Sequence, residues 1–474
     1  MEQQLSSEHQ ATAVESASLF REPDFETLQL HAGHDFIRTP DDPTSAAQFG
    51  ASNPRAVPIF QSVAYGFRDV QHGIEVCALR EPGYVYSRVA NPTISVFEKR
   101  MAALEGGAEA VATASGMAAI TLTLTALAAP GGEVITASRL YGGTYQLFKN
   151  TLPRLSIRTI FVPTLSPADF AAQITDKTRA IFLETMANSD LGVPDIAAFA
   201  ALANEHGIPL VVDNTFGMGG GLLHQMSEIK ADLFGGYIVQ PIKLGAHIVG
   251  AATKWIGGHG TSLGGVIIDS GTFDWRKSTK FPAINGPASA YNDVNLAETF
   301  HPTGFATHVR ADLLRDLGSC LTPLNAFLML QGLETLSLRA ERHCANALAL
   351  ATYLSTHPNV FGVRYVGLPT HPCHDLAKKI FRKGLFGGIV TFRVVRAVGV
   401  VNKARLASNL ANIGDAKTLI IAPYAIVQGQ ITQEERASGG VYEDTIRISV
   451  GIESIDDIIA DLRGALDAAF SDQE

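Results

Sequence analysis

Short apolar segments alternate with amphipathic segments along the chain from about Gly106 onward. Each short segment is rich in β-branched residues, and each is followed by an Ala- and Leu-rich stretch, a pattern typical of βαβ units. Strands connected in this way form a mostly parallel sheet covered by helices. The segments that predict strands are AVATAS, EVITAS, IRTIFVP, RAIFLET, IPLVVDN and GGVIIDS. We therefore expect an α/β fold that binds its ligand at the carboxyl ends of these strands.

The pattern changes after about residue 300. One long helical stretch, FLMLQGLETLSLRAERHCANALALATYL, precedes GIVTFRV and TIRISVG, which predict strands of a second, smaller sheet. The chain accordingly divides into a polar extension over residues 1–24 that we expect to be disordered, an arm over 25–85, a large α/β domain over 86–300, and a smaller C-terminal α+β domain over 301–474.

The composition is that of an ordinary globular protein. The chain has 474 residues, 46% hydrophobic content and a formal net charge of -9, which argues against nucleic acid or an anionic membrane as a partner. No apolar run reaches the ~20 residues that span a bilayer, and the acidic start resembles neither a secretory nor a transit signal. The scattered cysteines include no CxxC pair, which favours a reducing compartment such as the cytoplasm: Cys77, Cys320, Cys344 and Cys373.

Lys254 carries the clearest chemical implication. It follows a strand-like apolar run and precedes IGGHG, a turn too rich in glycine to continue a helix. A buried lysine is costly unless it is paired, neutralised or covalently used, and a Schiff base to a carbonyl cofactor is one such use. Asp213 ends the strand LVVD and suits a protonated ring nitrogen, although capping of the next turn is the alternative. Together the two residues predict pyridoxal phosphate (PLP).

Two segments have the features of a phosphate site. Ser115, Gly116 and Met117 open a helix after a strand, where backbone amides and the helix dipole favour an anion. The alternative is that Ser115 is an ordinary helix cap. Tyr86 and Arg88 supply a hydroxyl and a guanidinium suited to phosphate, and the alternative is a surface loop.

Four further residues also have two interpretations each. Tyr141 can lay its ring on a flat cofactor or be a packing residue, and Asn188 can meet a phenolic oxygen or be a turn residue. Arg447, within an apolar strand, needs an anion, which a substrate carboxylate or an internal ion pair would supply. His259 has no second histidine at ligand spacing, so we expect no metal.

The motifs together are highly specific in their order. They are YSRVANPT, SGMAAI, LYGGTY, VVDNTF, ATKWIGGHG, GDAKTLIIAP and RISVGIESIDDIIADL. This set resembles the Cys/Met-metabolism family of PLP enzymes, most closely its fungal-type O-acetylhomoserine sulfhydrylases. The resemblance runs from about Phe25 to the C-terminus. It implies a fold-type-I, aminotransferase-like architecture, assembled as a homotetramer in which the arm contacts a neighbouring subunit and each active site is shared by two chains.

The resemblance also implies roles for individual residues. Lys254 would carry the cofactor, Asp213 would pair with its pyridine nitrogen, and Tyr141 would stack on its ring; these would be the catalytic residues. Asn188 would meet the phenolic oxygen. The phosphate would be held by Ser115, Gly116, Met117 and Thr253, with Tyr86 and Arg88 from the neighbouring chain. The substrate would contact Arg447, Asn412 and Tyr86.

This sequence departs from the family pattern at three places. Ala251 replaces a serine that would offer a hydroxyl to the phosphate. Ile426, Val427 and Gln428 replace a Thr-Thr-His segment. This exchange makes the expected substrate site more apolar, so the sequence does not identify the nucleophile. Residues 219–234 form an apparent insertion with an amphipathic stripe, which is interpreted as a lid, a subunit contact or a surface excursion.

The first functional prediction is γ-replacement on O-acetylhomoserine, with sulfide as the default nucleophile and homocysteine as the product. The main alternative keeps the same electrophile and uses a bulkier carbon, nitrogen or thiol nucleophile, as in specialised metabolism. γ-Elimination and cystathionine synthesis are further enzymatic alternatives. A PLP-binding homologue without activity is the non-enzymatic one.

Overall fold

The structure is a computed structural model, and it describes residues 23–34, 54–188, 190–218, 237–250, 254–427, 440 and 442–471. The predicted extension up to residue 22, the insertion at 219–234, Ala251, Thr253 and Gln428 lie outside these ranges. The α-helices are α1 (Phe25–His31), α2 (Val70–Cys77), α3 (Pro92–Glu105), α4 (Gly116–Leu127), α5 (Gly142–Gln146), α6 (Leu152–Arg154), α7 (Pro167–Ala171), α8 (Ile196–Glu205), α9 (Leu296–Thr299), α10 (Gly304–His308), α11 (Arg315–Leu317), α12 (Pro323–Leu333), α13 (Leu336–Leu354), α14 (His374–Ile380), α15 (Ala397–Lys403), α16 (Pro423–Val427) and α17 (Ile455–Ser471).

A seven-stranded sheet forms the centre of the large domain. Its strands are β1 (Glu109–Thr113), β2 (Glu133–Ala137), β3 (Arg158–Val162), β4 (Thr178–Glu184), β5 (Leu210–Asp213), β6 (Ile248–Gly250) and β7 (Gly265–Asp269). The spatial order is β1-β7-β6-β5-β4-β2-β3. All neighbouring pairs are parallel except the two that involve β7. The predicted mostly parallel α/β fold is confirmed.

Helices cover both faces of this sheet because its strands bury side chains on both sides. One face packs against α4, through residues such as Leu124 and Phe182. The other face packs against α3, α8, α12 and α13, through residues such as Phe97 and Leu210. Residues of α12 thus share a core with the first sheet.

The helical stretch predicted as one element is two helices, α12 and α13, separated at Glu334 and Thr335. The carbonyl of Gly332 accepts a hydrogen bond from the buried guanidinium of Arg339 at 2.7 Å. Gly332 also lies so close to the backbone of Ile256 that a Cβ there would be 2.2 Å from the Ile256 carbonyl oxygen. The single-helix prediction was wrong because this contact with a distant loop outweighs the local helical pattern.

The second sheet has five strands in the order β10-β11-β14-β13-β12. A two-stranded hairpin, β8 (Pro287–Ala288) with β9 (Val294–Asn295), precedes it in the chain, and the sheet contains β10 (Phe361–Arg364), β11 (Ile389–Arg393), β12 (Ser408–Asn409), β13 (Leu419–Ile421) and β14 (Thr445–Ser449). It packs on α13, α15 and α17, and both predicted strands, β11 and β14, pair with each other. Among the helices that the structure describes, none is both long and apolar enough to cross a bilayer.

The carboxyl ends of the parallel strands place the candidate residues at one edge of the large sheet. β4 ends at Glu184 and β5 ends at Asp213, which are register partners. β1 leads into the start of α4, and β6 precedes Lys254. From the second sheet, β14 contributes Arg447 to the same region.

Candidate functional site

One cavity of about 210 Å³ brings together most of the residues that the sequence predicts. It lies at the carboxyl edge of the large sheet, where the second domain meets it. The predicted residues that line it are Ser115, Gly116, Met117, Tyr141, Asn188, Asp213, Lys254, Asn412 and Arg447. The strand-end residues and Arg447, which the sequence predicts as candidates, therefore line one cavity.

Lys254 projects its amine into this cavity from the turn that follows β6. Its Nζ donates a hydrogen bond to Oδ1 of Asn412 at 2.6 Å. Burial, and secondly the positive charge of Arg447, lower the pKa of the Lys254 amine. A lowered pKa increases the neutral, nucleophilic fraction of the amine, which is the form that reacts with an aldehyde.

The turn after Lys254 is fixed by a buried arginine from α13. The amide of Gly258 donates to the carbonyl of Lys254 at 2.9 Å and closes the turn. Arg339 donates to the carbonyl of Trp255 at 2.7 Å and to that of Ile256 at 3.3 Å. Because Arg339 is itself buried, these bonds anchor the lysine turn to the helix layer.

Two carboxylates lie side by side at the ends of β4 and β5. Oδ1 of Asp213 accepts from the amide and the hydroxyl of Thr215 at 2.9 and 2.6 Å, so Oδ2 has no donor among the described residues. Oε1 of Glu184 accepts from the amide of Tyr141 at 2.6 Å, and its buried Oε2 has no partner in the described structure. Burial raises the pKa of Asp213, and burial together with the Asp213 charge raises that of Glu184 well above its ordinary value.

The first turn of α4 opens onto the cavity. Ser115 caps the helix, since its hydroxyl accepts from the amide of Ala118 at 3.1 Å. The helix geometry leaves the amides of Gly116 and Met117 without intrahelical acceptors. A Cβ on Gly116 would meet no heavy atom within 4 Å, so there is room in front of these amides for an anion.

Arg447 lies in the centre of the second sheet, with Thr391 and Ile421 as its neighbours across the strands. Its Nη1 donates to Oδ1 of Asn188 at 2.5 Å. Burial lowers the pKa of Arg447 to about 10. Because Oδ1 of Asn188 is occupied by this bond, its amide nitrogen is the group that remains to donate into the cavity.

Tyr141 and the pair Tyr86 and Arg88 differ in their positions. Tyr141 lines the cavity with its side chain 48% exposed, a position from which the ring can cover a ligand. Tyr86 and Arg88 do not line the cavity; Arg88 lies 5.4 Å from the Tyr86 ring centroid and donates to the carbonyl of Arg315. The structure of one chain therefore does not bring these two residues to the site.

The residues present fit PLP. A partly buried lysine amine, a partly buried carboxylate with one oxygen without a donor among the described residues, and an open helix start suit an aldehyde, a protonated pyridine nitrogen and a phosphate. Of the departures from the family pattern, Ile426 is 54% exposed on α16, which packs beside β14. The side chain of Val427 is outside the described part of the chain.

Sequence reasoning missed the roles of Glu184 and Arg339. Glu184 lies near the end of RAIFLET, one of the segments that predict strands, yet nothing in this pattern indicated that it binds the Tyr141 amide. Arg339 lies in the predicted long helical stretch, and an arginine there would normally be exposed to solvent. The apolar part of the cavity was also not predicted; it includes Ile120, Phe216, Leu263 and Ile413.

Known proteins resemble this chain over almost its whole length. A family model described as Cys/Met metabolism PLP-dependent enzyme matches residues 42–467. The chain is 50% identical over 451 residues to the homocysteine synthase of Schizosaccharomyces pombe, covering 94% of this chain and 98% of that protein. It is 47% identical over 452 residues to sulfhydrylase FUB7 of Fusarium oxysporum, covering 94% and 98%. This chain also resembles the crystal structure of a Campylobacter jejuni protein that is provisionally named an O-acetylhomoserine (thiol)-lyase. The two structures have a TM-score of 0.85 and 33% sequence identity, and the match covers 94% of this chain and 100% of that one. The Campylobacter structure carries N'-pyridoxyl-lysine-5'-monophosphate.

Proposed function

Because the chain belongs to the Cys/Met-metabolism family of PLP-dependent enzymes, we propose that it catalyses γ-replacement on O-acetyl-L-homoserine with sulfide. The reaction forms a carbon–sulfur bond at Cγ, breaks the Cγ–oxygen bond, and yields homocysteine and acetate. The near-complete coverage of a homocysteine synthase at 50% identity carries this proposal. The site geometry supports it, because the partly buried amine of Lys254 and the partly buried guanidinium of Arg447 line the same cavity.

Pyridoxal phosphate would be held by residues that already line the cavity. The amides of Gly116 and Met117 would bind the phosphate, and Oδ2 of Asp213 would accept from the protonated pyridine nitrogen. Tyr141 would cover the ring face, and the amide nitrogen of Asn188 would donate to the phenolic oxygen. Thr253, predicted to contribute to the phosphate site, lies outside the described residues.

The cofactor supplies an electron sink that makes the protons on Cα and Cβ of a bound amino acid removable. Lys254 has the position and the lowered pKa of a base for these protons, since its amine lies in the cavity and is held by Asn412. Glu184 fixes the Tyr141 backbone and thereby the ring that borders the site. Arg447 would bind the substrate carboxylate through the guanidinium nitrogens that Asn188 does not use, and Asn412 would adjoin the substrate.

We further propose a homotetramer, located in the cytoplasm, in which the arm of one chain completes the site of another. The arm region exposes an apolar surface that includes Ile59, Val63, Phe67 and Ile74, with Val70 being 80% exposed. Such a surface favours contact with another subunit. A partner chain would bring its Tyr86 and Arg88, which directly follow the arm, to this cavity. Their own chain does not place them there. The described cysteines are free, as a reducing compartment favours.

A bulkier nucleophile is the second candidate. Its support is the apolar part of the cavity lining, which includes Phe216, Leu263 and Ile413, together with the exchange at residues 426–428. A thiol, amine or carbon nucleophile with an apolar substituent would bury more apolar surface against these residues than sulfide does.

Product analysis with purified, cofactor-loaded enzyme tests the proposal. O-Acetylhomoserine is supplied with sulfide, methanethiol, cysteine, a primary amine, an aldehyde or no acceptor, and acetate and the amino-acid product are measured by mass spectrometry. We expect sulfide-dependent homocysteine at about 1 per second or faster, lost in the charge-conserving variant Lys254→Arg. Equal acetate release without an acceptor would indicate elimination, and faster turnover with a bulky acceptor would favour the second candidate.

A further inference from the structure

A second cavity, of about 570 Å³, lies between residues of the large sheet region and residues around β10 of the second sheet. Arg139, Leu165 and Asp190 line it from the large domain, and Val363, Arg364 and His371 line it from the second. Its volume falls within the ~300–1,000 Å³ typical of small-molecule sites, which occur preferentially between domains. None of these residues was part of the mechanism above.

The charges in this cavity do not balance. Nη1 of Arg139 pairs with Oδ2 of Asp190, while Nη1 of Arg364 lies 3.9 Å from the same oxygen. Nε of Arg139 is buried and has no hydrogen-bond partner among the described residues. Burial lowers the pKa of His371, which favours its neutral form. Two guanidinium groups facing one carboxylate leave a single net positive charge.

The wall that holds Asp190 is well fixed. Oδ1 of Asp190 accepts from the amide of Gly192 at 3.1 Å. His371 accepts at Nδ1 from the amide of Cys373 at 3.2 Å, so its Nε2 is left to donate to the carbonyl of Asp190 at 3.3 Å. Because His371 uses both nitrogens on backbone groups, the two arginines are the cationic groups available to a ligand.

We propose that this interdomain cavity, lined by Arg139 and Arg364, binds a small organic carboxylate that regulates the catalytic site. A carboxylate matches both the guanidinium geometry and the single excess positive charge, whereas a dianionic phosphate would leave the site negative. The apolar walls, which include Leu165, Val363 and Pro372, suit an apolar body attached to the carboxylate.

Two short segments of the chain each contribute residues to both cavities. Arg139 precedes Tyr141 by two positions, and the Tyr141 amide is bound by Glu184 in the catalytic cavity. Asp190 follows Asn188 by two positions, and Asn188 accepts from Arg447. A bound carboxylate that accepts from both Arg139 and Arg364 draws Arg139 away from Asp190 and bridges the two domains. Because Arg139 and Asp190 are close in sequence to Tyr141 and Asn188, this movement shifts residues that border the substrate.

Calorimetric titration of the cofactor-loaded enzyme with 4-phenylbutyrate tests the binding site. We expect saturable binding at one site per chain, weakened about tenfold or more when the probe is the uncharged 4-phenylbutyramide or the enzyme is Arg364→Gln. Arg364 is 47% exposed on its side chain, so this variant should fold, which its melting temperature checks. Arg405→Gln, which removes the same charge from an exposed position elsewhere in the second domain, should bind as the wild type does.

Two further measurements separate this site from the catalytic one and do not depend on the proposed nucleophile. Arg447→Lys should retain 4-phenylbutyrate binding, and the probe should alter the visible absorbance of the bound cofactor in the wild type but not in Arg364→Gln. Absence of binding would overturn the proposal. Equal affinity for 4-phenylbutyrate and 4-phenylbutyramide would also overturn it, as would binding that is lost in Arg447→Lys but retained in Arg364→Gln. A cofactor absorbance spectrum that the probe leaves unchanged in the wild type would overturn it as well.

Discussion

Replacing Gly258 by alanine should dislocate the turn that carries Lys254. Gly258 has a φ of +69°, and an added Cβ would lie 2.2 Å from Nη1 and 2.5 Å from Cζ of Arg339. The guanidinium cannot easily move away, because Nη1 donates to the carbonyl of Trp255 and Nη2 to that of Gly332, each at 2.7 Å. The added methyl group therefore forces either the turn or the arginine out of position.

The expected magnitude has two parts. An L-residue with a left-handed backbone costs about 1–2 kcal/mol. Overpacking against a fixed neighbour costs about 1–3 kcal/mol more. Gly318→Ala is a matched control, because Gly318 has a φ of +72° and a Cβ there would meet nothing within 4 Å. The difference between the two variants, about 1–3 kcal/mol, isolates the contact with Arg339.

Urea titration, followed by the visible absorbance of the bound cofactor, measures the effect at the site itself. We expect Gly258→Ala to lose its cofactor at a clearly lower urea concentration than Gly318→Ala, which should in turn lie slightly below the wild type. If Gly258→Ala and Gly318→Ala are equally affected, Arg339 does not hold the lysine turn in the way that the structure indicates.

Four further variants or conditions test the other residues of the site. Arg447→Lys should raise the KM for O-acetylhomoserine about 10- to 100-fold with a smaller change in kcat, and an unchanged KM would contradict carboxylate binding by Arg447. Asp213→Asn should lower kcat about 100-fold or more while cofactor is still bound; kinetics near those of the wild type would remove Asp213 from the mechanism. Burial and, secondly, the charge of Arg447 lower the pKa of Lys254 from 10.5. The rate at which cofactor-free enzyme binds PLP should therefore rise with pH around a midpoint below 10.5. A midpoint at or above 10.5 would contradict the role of Lys254 as the reacting amine. The pKa of Glu184 is raised well above 4.5 in the folded protein, so its contribution to stability is present at low pH and is lost as the pH rises through that higher pKa. The melting temperature of the cofactor-free enzyme should therefore fall with rising pH less steeply in Glu184→Gln than in the wild type. An unchanged slope would argue against a proton on Glu184.

The large sheet and the catalytic edge were predictable because their signals are local. Buried parallel strands produce continuous apolar runs, and a polar residue directly after such a run, as with Asp213, lies at the edge where ligands bind. The same reasoning applied to Lys254, which follows the short strand β6. The local pattern singled out Arg447 as an arginine in an apolar strand, but only the motif resemblance assigned Arg447 and Asn412 to the substrate.

The contacts that hold the site together were not predictable, because they join distant parts of the chain. Arg339 reaches the lysine turn only because α12 and α13 separate beside it. Glu184, at the end of β4, binds the amide of Tyr141, which lies 43 residues earlier in the chain at the start of α5. Arg139 and Arg364 each have the features of ordinary surface arginines in sequence, and only the packing of the two domains places both in one cavity.

The attachment site of the cofactor tests the central claim most directly. Cofactor-loaded enzyme is reduced with borohydride and digested, and the peptides are mapped by mass spectrometry for an added pyridoxyl phosphate group. We predict that the modified residue is Lys254, and that Lys254→Arg yields no modified peptide. A pyridoxyl group on any other lysine of the wild type, or on none, would contradict the account.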